Sequence, residues 1–131
     1  MGLDMYLEGR TYNWTDWQNP ENNPKRDGFE IKGEILRLGY WRKHPDLHGY
    51  IVNTFADGVD DCKDIWLDAD KMRQIIEAIK GQKLPETEGF FFGKSDGSED
   101  IESIKIFQGA IQWLEKRDKK VGKNVYYQAS W

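Results

Sequence analysis

The chain has 131 residues, a net charge of −4, 32% charged residues of mixed sign and six each of Trp, Tyr and Phe. That length fits one domain, the aromatic content argues against disorder, and the acidic balance argues against non-specific binding along a nucleic-acid backbone, which needs a net or local positive field. The lone cysteine, Cys62, excludes an internal disulfide and fits a reducing compartment, while no apolar run nears the roughly 18 residues that span a bilayer.

In chain order, Leu3, Met5 and Leu7 alternate with Asp4, Tyr6 and Glu8, the period of a half-buried strand over residues 2–8. Residues 13–28 carry turn signals at Asn19-Pro20, Asn22-Asn23-Pro24 and Asp27-Gly28. They place Trp14 and Trp17 in a loop, where the two rings must pack on something or stay partly exposed. Phe29 to Tyr40 reads as a second strand, with Gly33 and Gly39 marking bends or bulges. A first helix is expected from Arg42 or Lys43 to about Phe55. Pro45 is tolerated in a first turn, and Leu47, Ile51, Val52 and Phe55 share a face. Asp57-Gly58 ends that helix, and a short strand follows around Ile65, Trp66 and Leu67.

Asp68 or Asp70 then caps a second helix, with Met72, Ile75, Ile76 and Ile79 on one stripe and Gly81 as its stop. Gly89 to Gly93 is a short apolar run, a strand or an extended loop, and residues 95–98 turn into a third helix. Glu99, Asp100 and Glu102 suit the positive end of that helix, and Lys116, Arg117, Lys119 and Lys120 its negative end. Ile101, Ile104, Phe107 or Gln108, Ile111 and Leu114 mark its buried face. A last strand alternates Val125, Tyr127, Ala129 and Trp131 with Tyr126, Gln128 and Ser130. The sum is a single α+β domain over residues 1–131: an antiparallel or mixed sheet of about four to five strands with three helices, in two layers, its first and last strands neighbours.

Two segments concentrate reactive side chains. Tyr40 to His48 holds both histidines with Trp41, Arg42 and Lys43, and Asp57 to Cys62 holds Asp60, Asp61 and the cysteine. His44 and His48, four apart on a helix, share a face as metal-binding pairs do, and an aspartate after the turn would supply a third ligand. But Pro45 stands where the metalloprotease motif needs Glu, and residues 57–61 lack the order of a calcium loop and its distal Glu. No resident metal or cofactor is therefore expected. A salt link from Asp60 or Asp61 to Arg42 or Lys43, tying the two segments together, is the favoured reading. Cys62 has no adjacent base, so a small buried residue at a strand start is a plainer role for it than a nucleophile. Gly93-Lys94-Ser95 ends like a phosphate-binding loop, but Glu88 stands where the first Gly of that motif belongs. Lys116 to Lys123 carries five cations in eight residues and reads as a solvated helix end.

Met1-Gly2-Leu3-Asp4-Met5-Tyr6-Leu7, Tyr40-Trp41-Arg42-Lys43, Asp57-Gly58-Val59-Asp60-Asp61-Cys62, Gly89-Phe90-Phe91-Phe92-Gly93 and the closing Tyr126-Tyr127-Gln128-Ala129-Ser130-Trp131 together resemble a family of small proteins of uncharacterised function encoded by bacteriophages and prophages. The matches run from the first residue to the last. The resemblance implies a cytoplasmic, host-cell setting and an accessory role, such as interference with a host process, and brings no activity with it. The first residues also lack the basic-then-apolar order of a signal peptide.

The expectation is a non-catalytic binding protein. A groove lined by Trp41, Arg42, Lys43, His44, His48, Asp60, Asp61 and Cys62 would hold a host protein or a small anionic ligand, the cations and free helix amides favouring negative charge. No membrane partner is expected, and the net charge disfavours nucleic acid while leaving contact through the 116–123 cations open. One alternative is a metal-assisted hydrolase using His44, His48 and an aspartate. The other is a structural homo-oligomer, a dimer for instance, joined through Trp14, Trp17 and Trp131.

Overall fold

The structure is a computed structural model that describes residues 2–86 and 100–131. Its elements in chain order are β1 (Asp4–Asn13), a 3-10 turn (Pro20–Asn22), β2 (Lys25–Arg26), β3 (Phe29–Glu30), β4 (Ile35–Arg42), α1 (Pro45–Phe55), β5 (Ile65–Leu67), α2 (Ala69–Lys80), α3 (Asp100–Glu115) and β6 (Val121–Ser130). A four-stranded antiparallel sheet runs in the order β4-β1-β6-β5, and β2 and β3 form a separate small hairpin. The class is α+β. The period-2 pattern of β1 and β6 explains why they sit at the centre: Met5, Leu7, Val125, Tyr127 and Ala129 all point to one face. The two strands pair without a break from Asp4 opposite Ser130 to Asn13 opposite Val121, so the chain's two ends are neighbours.

The stretch expected to be one strand from Phe29 to Tyr40 is broken in two. Asp27 and Gly28 adopt φ of 53° and 83°, the geometry of a two-residue hairpin turn, which closes β2 on β3. Gly33 then crosses the backbone of β1 so closely that a Cβ there would lie 2.1 Å from the Thr11 carbonyl oxygen. The chain becomes a strand again only at Ile35. Leu7 faces Gly39 and Glu8 faces Arg37, which leaves Leu38 as the extra residue of a bulge beside Gly39. β4 continues through Arg42, opposite Asp4, so α1 starts later than expected, at Pro45. Lys43 makes the corner with φ 58°, its N–H donating to the Leu3 carbonyl at 2.8 Å.

The three helices supply one core with the inner face of the sheet. Leu47 and Ile51 of α1, Met72, Ile75 and Ile79 of α2, and Phe107 and Ile111 of α3 pack with Leu3, Met5, Leu7, Trp41, Val125 and Tyr127. Asp68 caps α2 as its sequence suggests, its side chain accepting from Lys71 N–H at 2.7 Å, and Gly81 ends it. α3 buries Ser103, Phe107, Ala110 and Ile111, whereas Ile101, expected in the core, is exposed. The helix is turned so that Ile106 and Trp113 reach the glycines of the sheet, Gly39 and Gly9. Inside the core the Trp41 indole N–H donates to Ser103 Oγ at 2.7 Å, so a hydroxyl belongs on this buried face.

The outer face of the sheet carries Tyr6, Tyr40, Tyr126 and the arginines between them. Arg37 lies 5.3 Å from the Tyr6 ring centroid, and Arg10 lies 4.3 Å from that of Tyr126 while pairing with Asp64 at 2.8 Å and Glu8 at 3.1 Å. The expected apolar run at 89–93, the turn at 95–98 and Glu99 lie outside the described residues. Among those described, no helix is long and apolar enough to cross a membrane.

Candidate functional site

The sheet-to-helix corner brings the residues of the first polar segment to three different places. Trp41 is buried and stacks on Phe107 with ring centroids 5.4 Å apart. Arg42 and Lys43 are exposed. His44 is buried at the start of α1, its Nε2 3.7 Å from Asp100 Oδ1 at the first turn of α3. His48 is buried one turn further on, between a phenol and a carboxylate: Nδ1 is 2.6 Å from the Tyr127 hydroxyl and Nε2 is 2.9 Å from Asp60 Oδ2. The two imidazoles therefore turn to different partners. Among the described residues no group of three or more His, Cys, Asp and Glu is placed to hold a metal ion.

The second polar segment does join the first, but through His48. Asp60 pairs with that ring and Asp61 with Lys63 at 3.4 Å, instead of the expected Arg42 or Lys43. Burial above all, with the Asp60 charge as a second cause, pushes the Tyr127 phenol well above its ordinary pKa. It keeps its proton and donates to Nδ1, which leaves Nε2–H to donate to Asp60. Trp131 closes the cluster edge-on to His48, with centroids 5.7 Å apart. The space left beside His48, Asp60, Cys62 and Tyr127 is about 10 Å³, room for no more than one water. Cys62 is exposed, with φ 62°, and not the buried residue its position suggested. The expected groove is thus a filled joint: His48 ties α1 to the 57–62 turn and to β6.

An open cavity lies elsewhere. About 720 Å³, within the range of small-molecule sites, lies between the 13–24 loop and the turn entering β6, with Trp14, Trp17, Asp16, Lys119 and Lys120 among its walls. The turn residues of this loop are tied into a frame. Asp16 Oδ1 accepts from Gln18 N–H at 3.1 Å and Asn19 N–H at 2.9 Å, and Oδ2 from the Asn22 amide at 3.3 Å. Buried Asn23 accepts from Asp16 N–H at 2.8 Å and donates to the Asp16 carbonyl at 3.2 Å and to Glu30 at 3.3 Å. These donors, the Asn19 N–H foremost, hold the Asp16 carboxyl below the usual aspartate range.

On this frame Trp17 is 85% exposed and Trp14 59% exposed. Trp14 sits edge-on to Tyr12, 4.9 Å between centroids, with its ring against the backbone of Gly122. Its backbone N–H donates to the Lys120 carbonyl at 2.9 Å, which stitches the loop to the basic turn at the base of the cavity. The opposite wall is that turn. Asp118 Oδ1 accepts from Lys120 N–H at 2.9 Å and leads into β6. A second hollow, about 700 Å³ along α2, has Asp70, Arg73, Glu77, Lys80 and Lys83 in its lining; Arg73 pairs with Asp70 at 3.1 Å and, outside the hollow, with Glu115 at 2.7 Å.

Sequence reasoning named Trp14, Trp17 and the 116–123 cations separately and did not join them. The available signal was the pair of large rings inside a run of turn-forming Asn, Asp and Pro residues. No protein-family model, curated protein or solved structure matches this chain.

Proposed function

We propose that this is a non-catalytic binding protein whose ligand lies in the Trp14–Trp17 groove. One observation carries the reading: Trp17 is 85% exposed on a loop that a buried asparagine and an aspartate hold in a single shape. A large indole kept in water gains nothing for folding, whereas rigid, exposed aromatics are the usual anchors of binding surfaces, because little side-chain entropy is lost when they are covered. The Tyr40–His48 segment, where the sequence places the ligand, supports the fold instead; its Trp and both histidines are inside. The resemblance to small phage proteins supports an accessory role in the cytoplasm of a host cell, with the groove taking a host-derived ligand. The hydrolase alternative has no support in the geometry of His44 and His48, which face different partners.

The test is a heteronuclear NMR screen of the protein against a mixed panel of sugars, amino acids, short peptides, nucleotides and organic anions. At least one class is expected to move the amide and indole signals of residues 13–24 and 118–121, and Trp17→Ala, with its melting temperature unchanged, removes the effect. Shifts that cluster elsewhere, or none at millimolar concentration for any class, overturn the reading.

A further inference from the structure

We infer that the groove takes a planar aromatic base carrying a phosphate: a nucleotide, free or as a unit of a single-stranded nucleic acid. The inference rests on the groove reading above and adds the ligand class. It starts from which polar groups of the groove are still available. Asp16 and Asn23 are engaged in holding the loop, and Asp118 caps its own turn. The amide and carboxylate groups that would grip sugar hydroxyls are therefore largely occupied. The side chains of Lys119 and Lys120 have no ion-pair partner among the described residues. What remains to meet a ligand is two exposed indoles, two ammonium groups and the Gln18 amide; the Asp16 and Asp118 carboxylates keep their charge in the same wall, and Lys120 acts on Asp16 electrostatically.

Those groups select a chemistry. An indole face stacks on any planar base, and a neighbouring ammonium suits a phosphate oxygen. The five cations from Lys116 to Lys123 are gathered at this end of the molecule and supply the local field that the net charge of −4 hides. Lys123 does not reach out; its Nζ donates to the carbonyls of Trp113 at 3.1 Å and Lys116 at 2.7 Å, closing the end of α3. The outer face of the sheet also carries tyrosines and arginines, but Arg10 there is neutralised by Glu8 and Asp64 and the Tyr40 hydroxyl donates to Asp4 at 2.5 Å. Trp66 is also exposed, with Lys71 4.7 Å from its ring centroid, and Arg37 on the outer face has no ion pair among the described residues; what the groove adds is two exposed indoles and two such lysines around one cavity. A free nucleotide and a strand present the same base and phosphate, and the two sources differ in how many units bind together.

Binding is measured by fluorescence anisotropy with a labelled 12-nucleotide mixed-sequence DNA single strand, the same sequence as a duplex, and unlabelled AMP as competitor. The single strand is expected to bind at least ten-fold tighter than the duplex, whose bases are not free to stack. Trp17→Ala is expected to weaken it about ten-fold or more. In Lys119→Gln/Lys120→Gln the slope of log affinity against log salt becomes shallower by about 1.4, the loss of two phosphate contacts on a single strand. Competition by AMP at concentrations near those of the strand identifies the free nucleotide as the ligand, and a strand preference over AMP of a hundred-fold or more identifies the polymer. Equal binding of duplex and single strand, or a Trp17→Ala variant that binds as well as the parent, overturns the inference. If neither strand nor AMP binds while another class in the NMR screen still moves residues 13–24, the ligand class fails and the groove reading stands.

Discussion

At the scale of single residues, His48 and Asp16 do the most with the least. His48 is a buried ring with both nitrogens engaged, and Tyr127 depends on it for the partner of a buried hydroxyl. His48→Ala removes packing atoms and leaves that hydroxyl unsatisfied, so it should cost about 3 kcal/mol in urea unfolding. Asp60→Asn should cost only about 1 kcal/mol, because the carboxylate side of the pair is partly in water. A His48→Ala protein as stable as the parent would mean the joint is not structural. Asp16 controls the groove. Its folded pKa lies below the unfolded value, so its stabilisation of the loop is complete above the ordinary aspartate range and is lost as pH falls through the depressed folded value. The Gln18 and Asn19 amide resonances should therefore titrate together with a midpoint below 3.8, the ordinary aspartate value, and not titrate there in Asp16→Asn. A midpoint at or above it would show that the backbone bonds to this carboxylate are not formed in solution.

At the scale of elements, glycine decides where α3 can lie. The inner face of β4 presents Gly39 to the helix, and a Cβ there would sit 2.4 Å from Ile106 Cγ2. Ile106 is a stiff, β-branched side chain in a packed helix and cannot swing away freely. Gly39→Ala should therefore destabilise the fold by about 1–3 kcal/mol as an overpacking substitution, read by chemical denaturation; Ile106→Ala in the same chain should restore part of the loss. No rescue would place the strain in the β4 bulge instead. The same element logic explains Ile101. Its spacing fits the apolar stripe of α3, but contact of Ile106 and Trp113 with glycines fixes the rotation of the helix and turns Ile101 to water.

At the scale of the whole molecule, the two central strands, β1 and β6, are separated by about a hundred residues of sequence, so the sheet is closed by a long-range pairing. That closure also builds the groove, since the loop after β1 meets the turn before β6 through Trp14 N–H and the Lys120 carbonyl. Much of the frame was legible in the sequence. Alternation at Leu3-Met5-Leu7 and Val125-Tyr127-Ala129 marks the central strands, Asp68 and Gly81 bracket α2, and Asp27-Gly28 marks a turn. Each of these is a local preference of the backbone or of an apolar face, and such preferences are written in short stretches of chain. Less of the candidate site was legible. The sequence weighed His44, His48 and Asp60 as one cluster because helix spacing puts two of them on one side. Burial against different neighbours, Asp100 for one and Tyr127 with Asp60 for the other, parted them. Trp14 and Trp17 stand about a hundred residues from Lys119 and Lys120, and no spacing rule links them. Local pattern alone determined which residues form strands, helices and turns. Only the tertiary structure decided which side chains were consumed by the core and which indoles and lysines were left facing the same water, because burial and proximity depend on contacts between segments far apart in the chain.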